Sequence, residues 1–335
     1  MQSRTADASV LTPLAKPDCA TTAEPRVSVL MPTYNQQDYV AEAIAAILAQ
    51  KASPFELIIA DDCSGDATWE RVQESVAGYT GPHRLRLLRN ERNLGINGNL
   101  NQLIGLAEGS ILIAAAGDDI SSPDRVRRIV QTFITEQPLL VHSGFRPLVA
   151  PGQSYDGRFD KLNFSRATDP VAIAGSTALF VGATAAWHRD LFRIFGPLPD
   201  GPLYEDLILG FRAALARRVA TIDAPLVDYR IDIGASAKGP APRSRAEWGD
   251  FRVKTLKRHA AVFAQRRIDA LAFGVPETDT LVRTLDRHLM STAIRMDAWT
   301  LGLTNFLLRH RRHPLLALRR LRSERRGARR VGDGL

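Results

Sequence analysis

The sequence predicts an α/β fold in which parallel strands alternate with crossover helices. Three short apolar runs predict it, because a polar cluster follows each run and residues with helical spacing separate one run from the next. The runs cover residues 27–31, 55–60 and 111–116. Ligands of such a sheet bind beyond the carboxyl ends of its strands. We therefore expect the three polar clusters to line one crevice.

Two of these clusters contain neighbouring carboxylates, Asp61-Asp62 and Asp118-Asp119. Adjacent carboxylates repel each other, so a pair at a strand end usually needs a cation or a donor-rich ligand. The crevice is therefore typical of a site for a metal-bound phosphate ester.

Residues that start or stop helices delimit the remaining elements. Asn35 is expected to cap the first helix, and Pro123 stands where the fourth would have its first residue. Residues 146–170 indicate a long loop or lid. Helices are predicted over residues 38–50, 66–76, 93–108, 123–136 and 207–217, with two or more after residue 246. Further strands are predicted at residues 85–88 and, as an edge strand, at residues 227–230.

Length and composition indicate a globular protein with one large domain, or one domain with a smaller appendage. Of 335 residues, 45% are apolar and 24% are charged, which is ordinary for a soluble protein. No stretch approaches the ~18 uncharged apolar residues of a membrane-spanning helix, and residues 1–25 lack the apolar core of a secretory signal. Cys19 and Cys63 form neither a disulfide framework nor a zinc site. The cytoplasm is the expected compartment.

The net charge of +8 belongs to the tail of the chain. Residues 305–330 contain ten arginines and one acid, Glu324, so the rest of the chain is close to neutral. Arms that bind nucleic acid have such charge, but leucines interleave with these arginines. A basic helix with a leucine face favours an anionic membrane surface over nucleic acid. A solvated, partly disordered terminus is the alternative that stays open.

Five motifs follow one another at residues 29–35, 58–68, 93–101, 117–125 and 205–206. They include Pro-Thr-Tyr-Asn, Ala-Asp-Asp-Cys-Ser-Gly-Asp, Asn-Leu-Gly, Gly-Asp-Asp with Pro-Asp-Arg, and Glu-Asp. In this order and at these spacings they resemble the motifs of the family 2 glycosyltransferases, which have the GT-A fold. The resemblance covers about residues 26–235.

The resemblance implies a domain organisation. Residues 26–240 would form a GT-A type, Rossmann-like mixed sheet flanked by helices, with a nucleotide-binding half (26–137) and an acceptor half (138–240). Residues 1–25 would be a disordered leader, and residues 241–335 a helical extension that contains the basic tail.

The family resemblance also implies roles for the aspartate and glutamate residues of these motifs. Asp206 would be the base that takes the proton of the acceptor hydroxyl, with Glu205 supporting it, although acids are common at helix starts for dipole reasons alone. Asp118 would ligate Mn²⁺ or Mg²⁺. Asp119 would ligate through water, hydrogen-bond the donor or cap the following turn. Asp232, in place of a histidine frequent in the family, offers these metals an oxygen ligand.

The nucleotide sugar, expected to be UDP-linked, would bind at the ends of the first two strands. A carboxylate can accept the imide N–H of uracil or a ribose hydroxyl, and the alternative is that Asp62 and Ser64 only shape a turn. The residues expected to bind the donor are Pro32, Thr33, Tyr34, Asn35, Asp61, Asp62, Asn101 and Asp119.

The sequence thus predicts a non-processive, metal-dependent, inverting glycosyltransferase that acts on a saccharide or lipid-linked saccharide in polysaccharide synthesis. The Gln-x-x-Arg-Trp motif of processive members is absent. A sugar nucleotidyltransferase would need a glycine-rich loop after the first strand, which is not there. A non-catalytic saccharide-binding scaffold on a decayed transferase fold stays open, because Ala116 replaces an acid often found in the family.

Overall fold

A computed structural model describes residues 25–149, 154–157, 169–201, 204–231, 233, 242 and 244–332. The strands are β1 (Val27–Thr33), β2 (Glu56–Asp61), β3 (Arg84–Arg89), β4 (Ile111–Ala114), β5 (Ile120–Ser121), β6 (Leu140–Leu148), β7 (Ala185–His188) and β8 (Val219–Arg230). The helices are α1 (Val40–Leu48), α2 (Thr68–Val76), α3 (Gly95–Leu106), α4 (Arg125–Glu136), α5 (Pro170–Ile173), α6 (Asp190–Phe195), α7 (Glu205–Leu215), α8 (Arg245–Ala272), α9 (Thr280–Thr300), α10 (Leu303–Arg309) and α11 (Pro314–Gly332).

The strands form one mixed sheet in the order β3-β2-β1-β4-β7-β6-β8-β5. The first four strands of the chain are parallel neighbours, whereas β7 runs antiparallel between β4 and β6. Thr33 lies beside Asp61 in the register of β1 and β2, so their carboxyl ends open at the same edge. The predicted α/β fold and its parallel β-α-β series are confirmed.

Both faces of the sheet are covered, which explains the unbroken apolar runs of its central strands. Leu30 and Ile58 point towards the layer that contains α3 and α7. Val29, Met31 and Leu57 point to the opposite layer, which contains α1 and α4. Since the central strands are buried on both faces, their solvent-accessible polar groups lie at the strand ends and in the loops that follow.

Four local predictions were wrong. α4 begins at Arg125 after Asp124, not at Pro123. The loop or lid predicted over residues 146–170 begins inside β6, and its residues 150–153 and 158–168 lie outside the described residues. Asn35 does not cap α1: the helix starts at Val40 after Tyr39, and Asn35 adopts a left-handed backbone with φ of 51°. The stretch predicted as an edge strand is the last part of the twelve-residue β8, which pairs with β6 on one side and β5 on the other. The short strand β5 was not predicted, and it is what covers that edge.

The C-terminal helices pack on the sheet domain and on one another. Arg212 of α7 donates to both carboxylate oxygens of Asp269 on α8, at 2.9 and 3.2 Å, in a buried ion pair. Glu324 of α11 accepts hydrogen bonds from side chains of α8 and α9. In the described part of the chain, no helix combines the length and the apolar character that crossing a bilayer requires.

Candidate active site

The loops after β1 and β2 are tied together at the carboxyl edge of the sheet. Asp61 accepts hydrogen bonds from the Ser64 backbone N–H at 3.1 Å and from the Ser64 hydroxyl. The Asn35 N–H donates to the Ser64 hydroxyl at 2.9 Å, and its side-chain oxygen accepts from the Gly65 N–H at 3.0 Å. The left-handed conformation that Asn tolerates places its amide for this contact. Asp61 and Asn35 therefore shape the loop pair.

Asp62 anchors the start of α3. One carboxylate oxygen accepts from the Asn90 amide at 2.9 Å and the Leu94 N–H at 2.8 Å, and the other accepts from the Gly95 N–H at 2.9 Å. A carboxylate is stabilised at a helix N-terminus, where backbone N–H groups lack partners. Three of the roughly four acceptor sites of this carboxylate are used within the protein, so about one site, on the oxygen that accepts from Gly95, is left for a nucleotide.

Asp118 and Asp119 lie in the turn after β4, and both side chains are buried. One Asp119 oxygen accepts from the Arg230 N–H at 2.8 Å, while the other is buried without a hydrogen-bond partner among the described residues. Burial, together with the charge of Asp118, raises the pKa of Asp119 to about 8. Burial also raises the pKa of Asp118. Two negative charges are therefore unfavourable at this turn in the absence of a ligand.

A glycine and a glutamine hold this turn against the end of β1. A Cβ atom on Gly117 would lie 2.4 Å from the side-chain oxygen of Gln36 and 2.9 Å from the Thr33 methyl carbon. The Gln36 side chain hydrogen-bonds Asp118, which opposes the effect of burial on its pKa. Sequence reasoning missed Gln36, because a glutamine in a loop gives no signal of its own.

Two arginines fix the turn from its other sides. The Arg230 guanidinium donates to the Asp118 carbonyl at 2.8 Å and lies 4.6 Å from the centre of the Tyr39 ring. The Arg125 side chain is fully buried and donates to the carbonyls of Ala114 and Ala183, both at 2.7 Å. Arg125 thereby joins the end of β4 to the 3-10 turn at Gly182–Thr184.

The residues present fit a divalent cation. An unpartnered, buried carboxylate oxygen on Asp119 and raised pKa values on both acids indicate a place where a cation would stabilise carboxylate charges that burial disfavours. No group of three or more His, Cys, Asp or Glu side chains converges on one point within the ranges described. Asp232, the other predicted ligand, lies outside the described residues. Water and donor oxygens would have to complete the coordination, as Mg²⁺ and Mn²⁺ sites allow.

Glu205 and Asp206 form a second acidic pair in the first turn of α7. Burial, with the charge of Glu205 beside it, raises the pKa of Asp206 to about 8, and burial raises that of Glu205 as well. One Asp206 oxygen accepts from the Leu207 N–H at 2.8 Å. A Cβ atom on Gly182 would lie 2.3 Å from a Glu205 carboxylate oxygen. The turn joined to β4 by Arg125 thus also packs on this second pair.

Behind this pair lies Arg266 of α8, which is fully buried. Its guanidinium donates to the Leu207 carbonyl and to the carbonyls of Ile173, Ala174 and Ser176, at 2.7 to 3.2 Å. Its positive charge opposes the rise in the pKa of Asp206. Nothing in the sequence distinguishes this arginine from the others of an arginine-rich helix.

The remaining predicted donor-binding residues are not all together. Thr33 is buried at the end of β1 beside the half-buried Pro32, and Tyr34 next to them is 49% exposed. Asn101 is elsewhere engaged: its amide donates to the Leu198 carbonyl at 2.8 Å and accepts from the Leu198 N–H at 2.9 Å. The role of Asn101 in donor binding stays a prediction. Its two hydrogen bonds hold the segment after α6 against α3.

Comparison with protein families gives one match to this region. Residues 28–194 match the model described as "Glycosyl transferase family 2". The putative colanic acid biosynthesis glycosyl transferase WcaA of Escherichia coli (strain K12) is 35% identical over 121 residues, which are 36% of this chain and 41% of WcaA. The succinoglycan biosynthesis protein ExoO of Rhizobium meliloti (strain 1021) is 37% identical over 107 residues, 32% of this chain and 29% of ExoO. The chain thus spans less than half the length of either relative.

Solved structures resemble the whole fold. S. aureus TarS 1-349 in complex with UDP has a TM-score of 0.56 and 17% identity, covering 83% of this chain and 76% of that one. The same protein in complex with UDP-GlcNAc has a TM-score of 0.55 and 18% identity, covering 91% and 92%. At these identities the likeness shows the fold, and it confirms the predicted GT-A type.

Proposed function

Because the chain belongs to glycosyltransferase family 2, we propose that it transfers a sugar from a nucleotide sugar to a saccharide or lipid-linked saccharide, with inversion at the anomeric carbon. The observation that carries this proposal is the pair of acidic clusters: Asp118-Asp119 follows β4, Glu205-Asp206 lies beside the 3-10 turn, and the Arg125 side chain hydrogen-bonds both β4 and that turn. Transfer needs two such groups, one for the leaving diphosphate and one for the acceptor hydroxyl.

The donor is a UDP-sugar in this proposal. The TarS complexes with UDP and UDP-GlcNAc support it by their shared fold. The exposed ring of Tyr34 and the main chain of Pro32 to Asn35 are available to the base and ribose at the end of β1. Asp61 and Asp62 act here mainly by holding that loop and the start of α3 in place.

Asp118 and Asp119 would hold Mn²⁺ or Mg²⁺ beside the diphosphate. When bound, such a cation offsets the charge that develops on the leaving group. On this chain, Gln36 orients Asp118, and the Arg230 N–H occupies one oxygen of Asp119. The other Asp119 oxygen is left for the cation, for its water or for the donor. Asp232 stays a proposed further ligand.

Asp206 is the base. With both pKa values raised and the groups adjacent, Glu205 and Asp206 at neutral pH share a proton rather than hold two charges. The Leu207 N–H and the positive charge of Arg266 favour the ionised form on Asp206. Asp206 then takes the proton of the acceptor hydroxyl as that oxygen attacks the anomeric carbon. Glu205, which packs against Gly182, holds the shared proton when Asp206 is the ionised member of the pair.

Polysaccharide synthesis is the proposed pathway, supported by the names of the relatives WcaA and ExoO. The sugar would be added in single steps, since the chain lacks the motif of processive members. The residue ranges 26–137, 138–240 and 241–335 are proposed as the donor half, the acceptor half and the helical extension.

Calorimetric titration of the full chain with UDP and with GDP, each with and without Mn²⁺, tests the donor assignment. We expect UDP to bind only with the metal, and Asp118→Ala to abolish that binding. Asp250→Asn, an exposed change on α8, is the matched control and should bind as the wild type does. A folded wild type that binds neither nucleotide would favour the non-catalytic scaffold.

A further inference from the structure

An exposed surface of leucines and arginines lies on α10 and α11. Leu315 is 83% exposed and Leu308 is 63% exposed, and they belong to a group of five exposed leucines within residues 303–318, whereas exposed apolar side chains are normally scattered singly. We name the set the leucine–arginine surface. Its members are Leu303, Leu307, Leu308, Leu315, Leu318, Arg311, Arg312, Arg319, Arg322, Arg325 and Arg326, all exposed.

The orientation of these helices is set by what they bury. Phe306 of α10 is 1% exposed and packs with Ala317 and Leu321 of α11. Glu324, one turn after Leu321, is buried and accepts from the Arg252 guanidinium, which donates to both of its oxygens at 3.0 Å. Residues 317, 321 and 324 form one stripe of α11, and this stripe packs against the neighbouring helices. The leucines and arginines on the opposite side of α11 therefore face outward.

The charge of this surface has one sign. Glu324 is the sole acid between residues 302 and 326, and it is buried against α8 and α9. Arg309 and His310 contact Asp297 and are not counted in the surface. Apolar side chains in water beside a group of positive charges fit a partner that is negative at its surface and apolar beneath it.

We propose that the leucine–arginine surface docks on an anionic lipid bilayer, with the leucines among the acyl chains and the arginines at the head groups. Basic residues near an anionic membrane and apolar side chains inserted into its interface contribute independently to such binding. The inference stands apart from the proposed transfer reaction, because it uses none of the residues of the two acidic clusters.

Two other partners fit the surface less well. A nucleic acid would neutralise the arginines but leave Leu308 and Leu315 in water. A second copy of the chain, joined by a two-fold axis, would place arginines of the same surface against one another. An anionic bilayer satisfies the leucines and the arginines together.

Co-sedimentation of the full chain with vesicles tests the proposal. One vesicle preparation is phosphatidylcholine alone, and the other contains phosphatidylglycerol as well. We expect binding to the anionic vesicles and at least tenfold weaker binding to the neutral ones. Each arginine near the surface is worth about fivefold, so Arg319→Gln with Arg322→Gln should weaken binding roughly thirtyfold.

The leucines are tested by Leu308→Ser with Leu315→Ser, which should weaken binding about tenfold or more while the melting temperature stays that of the wild type. Matched controls are Ile268→Ser, an exposed aliphatic residue on α8 at 58%, and Arg283→Gln, exposed on α9. Both should bind as the wild type does.

Three results would overturn the proposal. One is a wild type that does not bind the anionic vesicles, or binds both preparations equally. Another is the pair of findings that the leucine variant binds vesicles as tightly as the wild type and that duplex DNA displaces the wild type from vesicles. That pair would assign the arginines to nucleic acid. The third is a dimer in light scattering that the leucine variant dissociates, which would assign the surface to a second copy.

Discussion

Replacement of Glu324 by Gln should destabilise the protein, by an amount that follows from the contacts of its carboxylate. Burial disfavours the charge of Glu324, but hydrogen bonds from Arg252, Trp299 and Arg295 outweigh it and lower the pKa from 4.5 to about 2. The carboxylate is 4% exposed, and the indole N–H of Trp299 donates to it at 2.9 Å. A shift of this size corresponds to about 3 kcal/mol of stability at pH 7.

The sign of the pH dependence is a further check on this carboxylate. Because its folded-state pKa is depressed, the stabilisation is complete above the unfolded pKa near 4.5 and is lost as the pH falls through about 2. The difference between wild type and Glu324→Gln should therefore decrease from about 3 kcal/mol at pH 7 to about 1.4 kcal/mol at pH 3.

Urea unfolding at both pH values, followed by circular dichroism, measures this difference. Hydrogen exchange by mass spectrometry should show faster exchange in α11 and the facing part of α9. Glu277→Gln is the control, because its side chain is 75% exposed and lies 3.6 Å from Arg267. It should change stability by less than ~0.5 kcal/mol. A Glu324→Gln variant as stable as the wild type at pH 7, or one with the same deficit at pH 3, would contradict a stabilising role of the Glu324 charge.

Three further changes probe the acceptor side of the site. Gly182→Ala should lower kcat with little change in UDP binding, since its Cβ would displace the Glu205 carboxylate, whereas Gly302→Ala, in open space, should be neutral in the same kinetic assay. Asp206→Asn should abolish transfer yet raise the melting temperature. The gain in melting temperature should grow from about pH 4 to about pH 8, because the raised folded-state pKa of Asp206 costs the wild type stability as the pH rises between those values. Equal melting temperatures of variant and wild type throughout this range would contradict the raised pKa. Arg266→Met should destabilise by about 3–5 kcal/mol in urea, because it leaves four carbonyls without their donor, and a loss below ~1 kcal/mol would contradict its role.

The sheet was predictable because its central strands are buried on both faces. Leu57 and Ile59 face one layer and Ile58 faces the other, so the sequence shows an unbroken apolar run rather than an alternating one. The polar clusters come directly after these apolar runs in the sequence, so their position at the strand ends was predictable as well. β5, β6 and β7 were not predicted: β5 and β7 have only two and four residues, and the polar His142 and Ser143 interrupt the apolar run of β6.

The site was predictable in its acids but not in the groups that support them. Asp118 and Asp206 stand in motifs with a recognisable order. Asp62 could be placed at the site from sequence, but its bonds to the start of α3 depend on a contact across thirty-three residues with Gly95. Arg266 reaches Leu207 across fifty-nine residues, so only the packing of α8 on α7 shows it. The division of the chain into donor, acceptor and helical parts stays a prediction.

Turnover measured beside binding tests the central claim most directly. UDP release from a panel of UDP-sugars, with Mn²⁺ and without added acceptor, should be slow but metal-dependent for the wild type. Asp118→Ala should lose both binding and release, whereas Asp206→Asn should bind UDP with Mn²⁺ as the wild type does and lose transfer once an acceptor is supplied. Transfer by Asp206→Asn at the wild-type rate, or metal-independent release by Asp118→Ala, would contradict the assignment of the two acidic clusters to base and metal site.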